Sequence, residues 1–316
     1  MSRTAGEDWD IVTTVGGTAL AVAAMRAVEA RKPAPLARDE LAQHFVAAAA
    51  TQSAIFSEIL TDPSVARQPD VDVFAQYLGA RTKYFDEFFA DATSAGITQV
   101  VILASGLDAR GYRLPWPAGT TIYELDLPKV LKFKADVLTH HRIEPTATIN
   151  HVAVDLRHDW PAAITAAGFD SSTPTAWLAE GLLPFLPGDA QDSLFEDILQ
   201  LSGPASRFAG EYFIVPSDQA AAQQFHAMSP GGVLRRMYES FVDDGAAPPS
   251  LVFGGQHLDP AEWLRRHDWS VNTTTIGDIR RAAQVATGHS PALAEATGRT
   301  HYFTAVGPNA EPVSFD

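Results

Sequence analysis

The chain has 316 residues, 46% of them hydrophobic, and carries 23 Lys and Arg against 38 Asp and Glu, a formal net charge of −15. With that balance and no Lys/Arg-rich run, nucleic acid and anionic membrane surfaces are not expected as partners. There is no cysteine, which excludes disulfides, thiolate metal sites, iron–sulfur clusters and a cysteine nucleophile together. Met1–Asp10 carries Glu7, Asp8 and Asp10 rather than a basic segment ahead of an apolar one. The apolar run Thr18–Val28 is interrupted by Arg26 and is too short to span a bilayer. A cytoplasmic protein is expected.

Helices come first. Thr18–Glu29 and Glu40–Leu60 are rich in Ala and Leu, with Pro33 and Pro35 between them. A third helix is predicted over Val71–Ala90, where Phe74, Leu78, Tyr84, Phe85, Phe88 and Phe89 recur near helical spacing as a core stripe. The pattern then changes. Gln99–Ala104 is a short apolar run ending at Ser105-Gly106, as expected of a buried parallel strand followed by a turn. Similar runs cover Thr121–Asp126, Ile149–Asp155, Thr175–Glu180 and Phe208–Val215, spaced for βαβ crossovers, and Ser270–Thr275 and His301–Val306 add two more. The reading is a doubly wound α/β fold. A helical cap over residues 1–95 precedes a core over 96–316. Between about 216 and 260 the βα rhythm lapses. Gly231-Gly232, Pro248-Pro249 and Gly254-Gly255 there punctuate helical pieces such as Val233–Val242, as in a lid inserted over the sheet.

Carboxylates fall at successive strand ends. Strand one runs into Gly106, strand two ends at Asp126, strand three at Asp155 and strand four at Glu180. In an open α/β sheet, ligands bind outside the carboxyl ends of the strands. A glycine admits a ligand to the backbone, and an acid about twenty residues later can accept from a ribose. Each residue has a plainer reading too, since an Asp at a strand end is often a helix cap. A nicotinamide dinucleotide suits this geometry as well, although Ala104–Gly111 lacks the G-x-G-x-x-G fingerprint. The pair His140-His141 has no further ligands in register for a metal, Ser105 lies in no G-x-S-x-G elbow, and there is no Walker loop.

Several blocks carry a resemblance. Val101-Ile-Leu-Ala-Ser-Gly-Leu-Asp-Ala-Arg-Gly-Tyr-Arg-Leu114 is followed by Tyr123-Glu-Leu-Asp-Leu-Pro128, Val154-Asp-Leu-Arg157 and Trp177-Leu-Ala-Glu-Gly-Leu-Leu-Pro-Phe-Leu-Pro187. Ala80-Arg-Thr-Lys-Tyr-Phe-Asp86 lies upstream, and Asp259-Pro-Ala-Glu-Trp263 and Arg299–Val306 downstream. In this order they resemble the leucine carboxyl methyltransferase-like family, in its actinobacterial, mycobacterial-type branch of S-adenosyl-L-methionine-dependent methyltransferases. Ser105 and Ala109 stand where relatives often have Ala and Thr, and Gly111 where Ala is common.

The resemblance implies a class I, Rossmann-like methyltransferase whose seven-stranded, mostly parallel sheet has a reversed last strand. S-adenosyl-L-methionine is the implied cofactor and a small-molecule methyl acceptor the implied partner. Gly106 would lie beneath the methionine part and Asp126 would bind the ribose hydroxyls. Asp155 would accept from the adenine amino group, with Leu156 beside the ring. Glu180 would face the ammonium, and Arg81, with Arg26 from an earlier helix, would hold the carboxylate by charge-assisted bonds. Asp126 and Asp155 are expected to serve binding far more than folding. O-methylation of a carboxylate or hydroxyl is expected. A carboxylate acceptor needs no base, whereas a phenol would need help from Tyr212, His226 or His257. The alternatives are a dinucleotide-dependent oxidoreductase and a non-catalytic S-adenosylmethionine-binding protein.

Overall fold

Burial on both faces explains why the central strands read as unbroken apolar runs. In β1 (Gln99–Leu103) and β4 (Thr175–Ala179) every residue is buried. They are neighbours in a seven-stranded sheet completed by β2 (Thr121–Asp126), β3 (Thr148–Ala153), β5 (Arg207–Phe213), β6 (Ser270–Thr275) and β7 (Thr300–Val306). The order is β3-β2-β1-β4-β5-β7-β6. β1 pairs in parallel with β2 and β4, β2 with β3, and β4 with β5. Only β7 runs antiparallel, to both β5 and β6. Seven strands, mostly parallel and with the last one reversed, are what the resemblance implied, and the strand order switches between β1 and β4. The structure is a computed structural model and describes residues 15–51, 53–213, 233, 236–237, 259–283 and 300–308.

Alternation along the strands divides the core in two. Val100, Ile102, Ile122, Ala176, Leu178 and Ala209 face one side, packing with Leu20, Phe45, Phe56, Phe85 and Phe89. Val101, Leu103, Tyr123, Trp177 and Phe208 face the other, against Trp160, Phe195, Ile198 and Leu264. The first side is covered by α1 (Val15–Ala30), α2 (Ala42–Ala49), α3 (Ala54–Thr61), α4 (Pro63–Ala66) and α5 (Pro69–Ser94). Leu78, Phe85, Phe88 and Phe89 of α5 are buried, as the core stripe requires.

The single helix expected over Glu40–Leu60 is two. Thr51 Oγ1 bonds back to the Ala48 carbonyl at 3.0 Å, and Ser53 is extended at φ −146°, ψ 123°. Hydroxyl side chains compete for backbone groups in this way, so the break falls at the polar Thr51–Ser53 stretch. Further helices among the described residues are α6 (Arg110–Arg113), α7 (Pro128–His140), α8 (Trp160–Ala166), α9 (Gly188–Gln200), α10 (Pro260–Arg266) and α11 (Ile276–Ala282), with a 3-10 turn at Leu183–Phe185. The lid expected at about 216–260, with its piece Val233–Val242, lies outside the described residues except at Val233, Arg236, Met237, Asp259 and Pro260. Among the described residues no helix is long and apolar enough to cross a membrane.

Candidate active site at the strand ends

The backbone turns sharply where β1 ends. Ala104 and Gly106 both occupy the left-handed region, at φ +48° and +49°. The first is uncommon for a residue with a side chain. Ser105 N–H donates to the Leu125 carbonyl at 2.9 Å, which keeps the turn joined to β2. Gly106 N–H then donates to Asp126 Oδ2 at 2.6 Å, and Leu127 N–H to Oδ1 at 2.6 Å. The two residues related by sequence spacing are thus hydrogen-bonded. Burial pushes the Asp126 carboxyl up from its ordinary value, and these two N–H groups pull against it. Asp126 therefore also anchors the backbone, a larger part in the fold than the expectation of mainly a binding role gave it.

Asp155 lies two residues past β3 and accepts from the Arg157 N–H at 3.0 Å and from its Nη2 at 2.5 Å. The Arg157 hydrogen bonds hold its carboxyl below the ordinary range against partial burial. The Arg157 side chain is 75% exposed, so this contact is weak and easily exchanged. Leu156 is half-buried against the second core.

The third group is a buried ion cluster. Arg26 from α1, Arg81 from α5 and Glu180 from the end of β4 converge, although 154 residues separate the first from the last. Arg26 Nη2 donates to Glu180 Oε1 at 2.5 Å. Arg81 Nε lies 3.0 Å from the same oxygen but without hydrogen-bond alignment. The sequence reading did not include two further members. Arg110 Nη1 donates to Glu180 Oε2 at 2.6 Å, and Arg81 Nη1 donates to Glu211 Oε1 at 2.7 Å. Arg110 also binds Asp86 through Nε at 2.7 Å and contacts Asp108. Their signals were Asp108-Ala-Arg110 inside the glycine loop and a lone Glu in the apolar run Phe208–Phe213.

Opposing effects set the charges. Burial works against ionisation of Glu180, but Arg110, Arg26 and Arg81 overcome it and hold the carboxyl well below its ordinary value. For Glu211 burial prevails over Arg81, and its carboxyl is raised. Arg81 is raised despite burial, because Glu211 and Glu180 favour its charge.

Tyr212 is buried, and burial followed by the charge of Asp259 pushes its phenol up to about 12. His226 and His257 lie outside the described residues. The rings of His140 and His141 lie 5.0 Å apart, and among the described residues no group of three or more His, Asp or Glu side chains could hold a metal.

Comparison with known proteins places the chain in a family. The leucine carboxyl methyltransferase family pattern matches residues 19–199, from α1 through Arg26, Arg81, Gly106, Asp126, Asp155 and Glu180. A Mycobacteroides abscessus protein named as an S-adenosyl-L-methionine-dependent methyltransferase is 57% identical over 307 residues, covering 97% of this chain and 99% of its own. A Rhodococcus jostii protein of the same description is 46% identical, covering 96% of this chain and 99% of its own. One from Mycolicibacterium smegmatis is 45% identical, covering 94% and 96%. The chain therefore belongs to the leucine carboxyl methyltransferase family and is a methyltransferase.

Proposed function

We propose that this enzyme uses S-adenosyl-L-methionine to methylate an oxygen of a small molecule, and that the oxygen belongs to an ionised carboxylate. The donor and acceptor set fits the cofactor. Nε of both Arg26 and Arg81 is buried without a hydrogen-bond partner among the described residues, as a site for a ligand carboxylate needs. Glu180 beside them suits an ammonium. Asp126 and Asp155 have acceptor capacity for ribose hydroxyls and an adenine amino group, since each carboxylate oxygen offers two lone pairs. Leu156 offers an apolar surface beside Asp155. Gly106 presents no side chain, and a β-carbon there would be both strained and 3.4 Å from Ala19 Cβ.

When bound, the cofactor supplies a sulfonium methyl open to in-line displacement, so the protein's contribution is chiefly orientation and exclusion of water. Among the described residues, which leave out His226 and His257, one observation favours a carboxylate acceptor. The acidic groups at these strand ends each have a partner: Glu180 three arginines, Glu211 Arg81 and the Gly181 N–H through Oε1, Asp126 two backbone N–H groups and Asp155 Arg157. Tyr212, with its phenol raised, is a proton donor at neutral pH rather than a base. A carboxylate with an ordinary pKa of about 4 is ionised at neutral pH and needs no base.

The test is to incubate the enzyme with methyl-labelled S-adenosyl-L-methionine and a metabolite extract, then treat the products with mild alkali. Methyl esters release volatile labelled methanol, and this is the expected result. Label retained in an alkali-stable product would assign a hydroxyl acceptor instead.

A further inference from the structure

We propose that Arg110 and Glu211 are positioning residues that make the Arg81–Glu180 pair a socket for a zwitterion, holding each member while an amino-acid group enters between them. This rests on the reading that Arg81 and Glu180 meet the carboxylate and ammonium of S-adenosyl-L-methionine.

The atoms divide cleanly. Arg81 meets Glu180 through Nε and Oε1, at 3.0 Å and without hydrogen-bond alignment. It meets Glu211 through a different nitrogen, Nη1, at 2.7 Å. Glu180 meets Arg110 through its other oxygen, Oε2, at 2.6 Å, while Arg26 Nη2 stays on Oε1 at 2.5 Å. The poorly aligned contact can therefore open while both well-formed ones persist. Neither buried charge is then left without a counter-ion, the condition under which opening a buried pair is most costly.

Both partners are themselves fixed. Arg110 and Glu211 are each 1% exposed. Arg110 also binds Asp86 at 2.7 Å and the Thr82 carbonyl at 3.4 Å, both on α5. Glu211 Oε1 also accepts the Gly181 N–H at 2.9 Å. Gly181 sits at φ +67°, and a β-carbon there would lie 3.7 Å from Arg81 Nη1. Glu211 Oε2 has no hydrogen-bond partner among the described residues.

The consequence is selectivity for a ligand bearing both charges. Carboxylate and ammonium together replace the contact they open. Either alone breaks it and replaces half.

Calorimetry with S-adenosylhomocysteine, which has the amino-acid end, and methylthioadenosine, which lacks it, separates this role from a structural one. Glu211→Gln, nearly isosteric, should weaken S-adenosylhomocysteine by about tenfold or more while methylthioadenosine changes by less than about twofold. Arg110→Lys should act in the same direction, because an ammonium cannot span Glu180, Asp86 and Thr82 together. If Arg110→Lys does not fold, Glu211→Gln decides. Equal weakening of both ligands, or of neither, by Glu211→Gln overturns the inference. A wild-type protein that binds both ligands equally overturns the amino-acid-end reading beneath it, and the inference with it.

Discussion

Gly79 of α5 lies so close to Glu29 of α1 that a β-carbon at position 79 would be 2.6 Å from Glu29 Cγ. Glu29 has little room to yield. It is 2% exposed, its Oε1 accepts the Leu36 N–H at 2.8 Å and its Oε2 pairs with Lys32 at 2.7 Å. The close approach matters because Arg26 lies one turn before Glu29, and Arg81 two residues after Gly79. Both arginines reach Glu180 from helices held together there. Alanine for glycine inside a helix ordinarily stabilises by about 0.5–1 kcal/mol. Overpacking costs about 1–3 kcal/mol, so Gly79→Ala should lower the melting temperature and weaken S-adenosylhomocysteine binding. A raised melting temperature would mean that Glu29 moves aside freely.

Asp126 and Asp155, similar in sequence context, should separate on substitution. Asp126→Ala strips the acceptor from the Gly106 and Leu127 N–H groups, and each unsatisfied group costs about 1–3 kcal/mol. Thermal melting without ligand should show a clear loss. Asp155→Ala removes a contact to an exposed arginine, worth about 0–1 kcal/mol, and the acceptor of one exposed N–H that water can replace, and should leave the melt nearly unchanged. Both should weaken nucleoside binding, measured with methylthioadenosine. Equal melting temperatures for the two variants would exclude the anchoring role of Asp126.

Most of the sheet was legible because buried strands carry their own pattern. Thr121–Asp126 and Ser270–Thr275 match β2 and β6 residue for residue, and the other strands differ at their ends. Glycine and acid at successive strand ends likewise marked Gly106, Asp126, Asp155 and Glu180, because strand ends are where a parallel sheet receives ligands. The break at Thr51–Ser53 was not legible, since it depends on hydroxyls choosing backbone partners. The ion cluster was legible only in part. Arg26, Arg81 and Glu180 were named through the resemblance, but the sequence does not show that Arg110 and Glu211 complete their pairing. Such partnerships are tertiary, between groups 70 and 130 residues apart.

A second buried pair tests the electrostatics away from the arginine cluster. Lys134 of α7 and Glu124 of β2 are both fully buried and 2.7 Å apart, with His151 Nε2 3.3 Å from the same Glu124 oxygen. Lys134→Met leaves a buried carboxylate without its cation and should cost about 3–5 kcal/mol in denaturant unfolding. Adding Glu124→Leu should recover much of that loss, because an apolar pair carries no desolvation penalty. Additive losses would mean that the two side chains do not stabilise each other.

The pH dependence of stability should carry the signature of Glu180. Its ordinary value is 4.5; burial opposes ionisation, but Arg110, Arg26 and Arg81 together hold the folded carboxyl well below that. Between the folded and unfolded values the unfolded chain binds more protons, so stability rises with pH across that window. The contribution is complete above the unfolded value and is lost as pH falls through the folded one. Asp108 acts with the same sign, since Arg110 and Arg26 outweigh its burial. Glu211, with its carboxyl raised by burial, has the opposite sign: its contribution is whole below the unfolded value and declines as pH rises through the folded one. Glu180→Gln should therefore be less stable at neutral pH, by on the order of 3 kcal/mol for a broken buried pair. Its melting temperature should also fall less steeply than the wild type's between about pH 5 and about pH 3. Asp108 and the other carboxylates held below their ordinary value, Asp155 among them, supply the slope that remains. Parallel curves for the two proteins would show that Glu180 titrates alike folded and unfolded, and the three arginines would then not be its counter-ions.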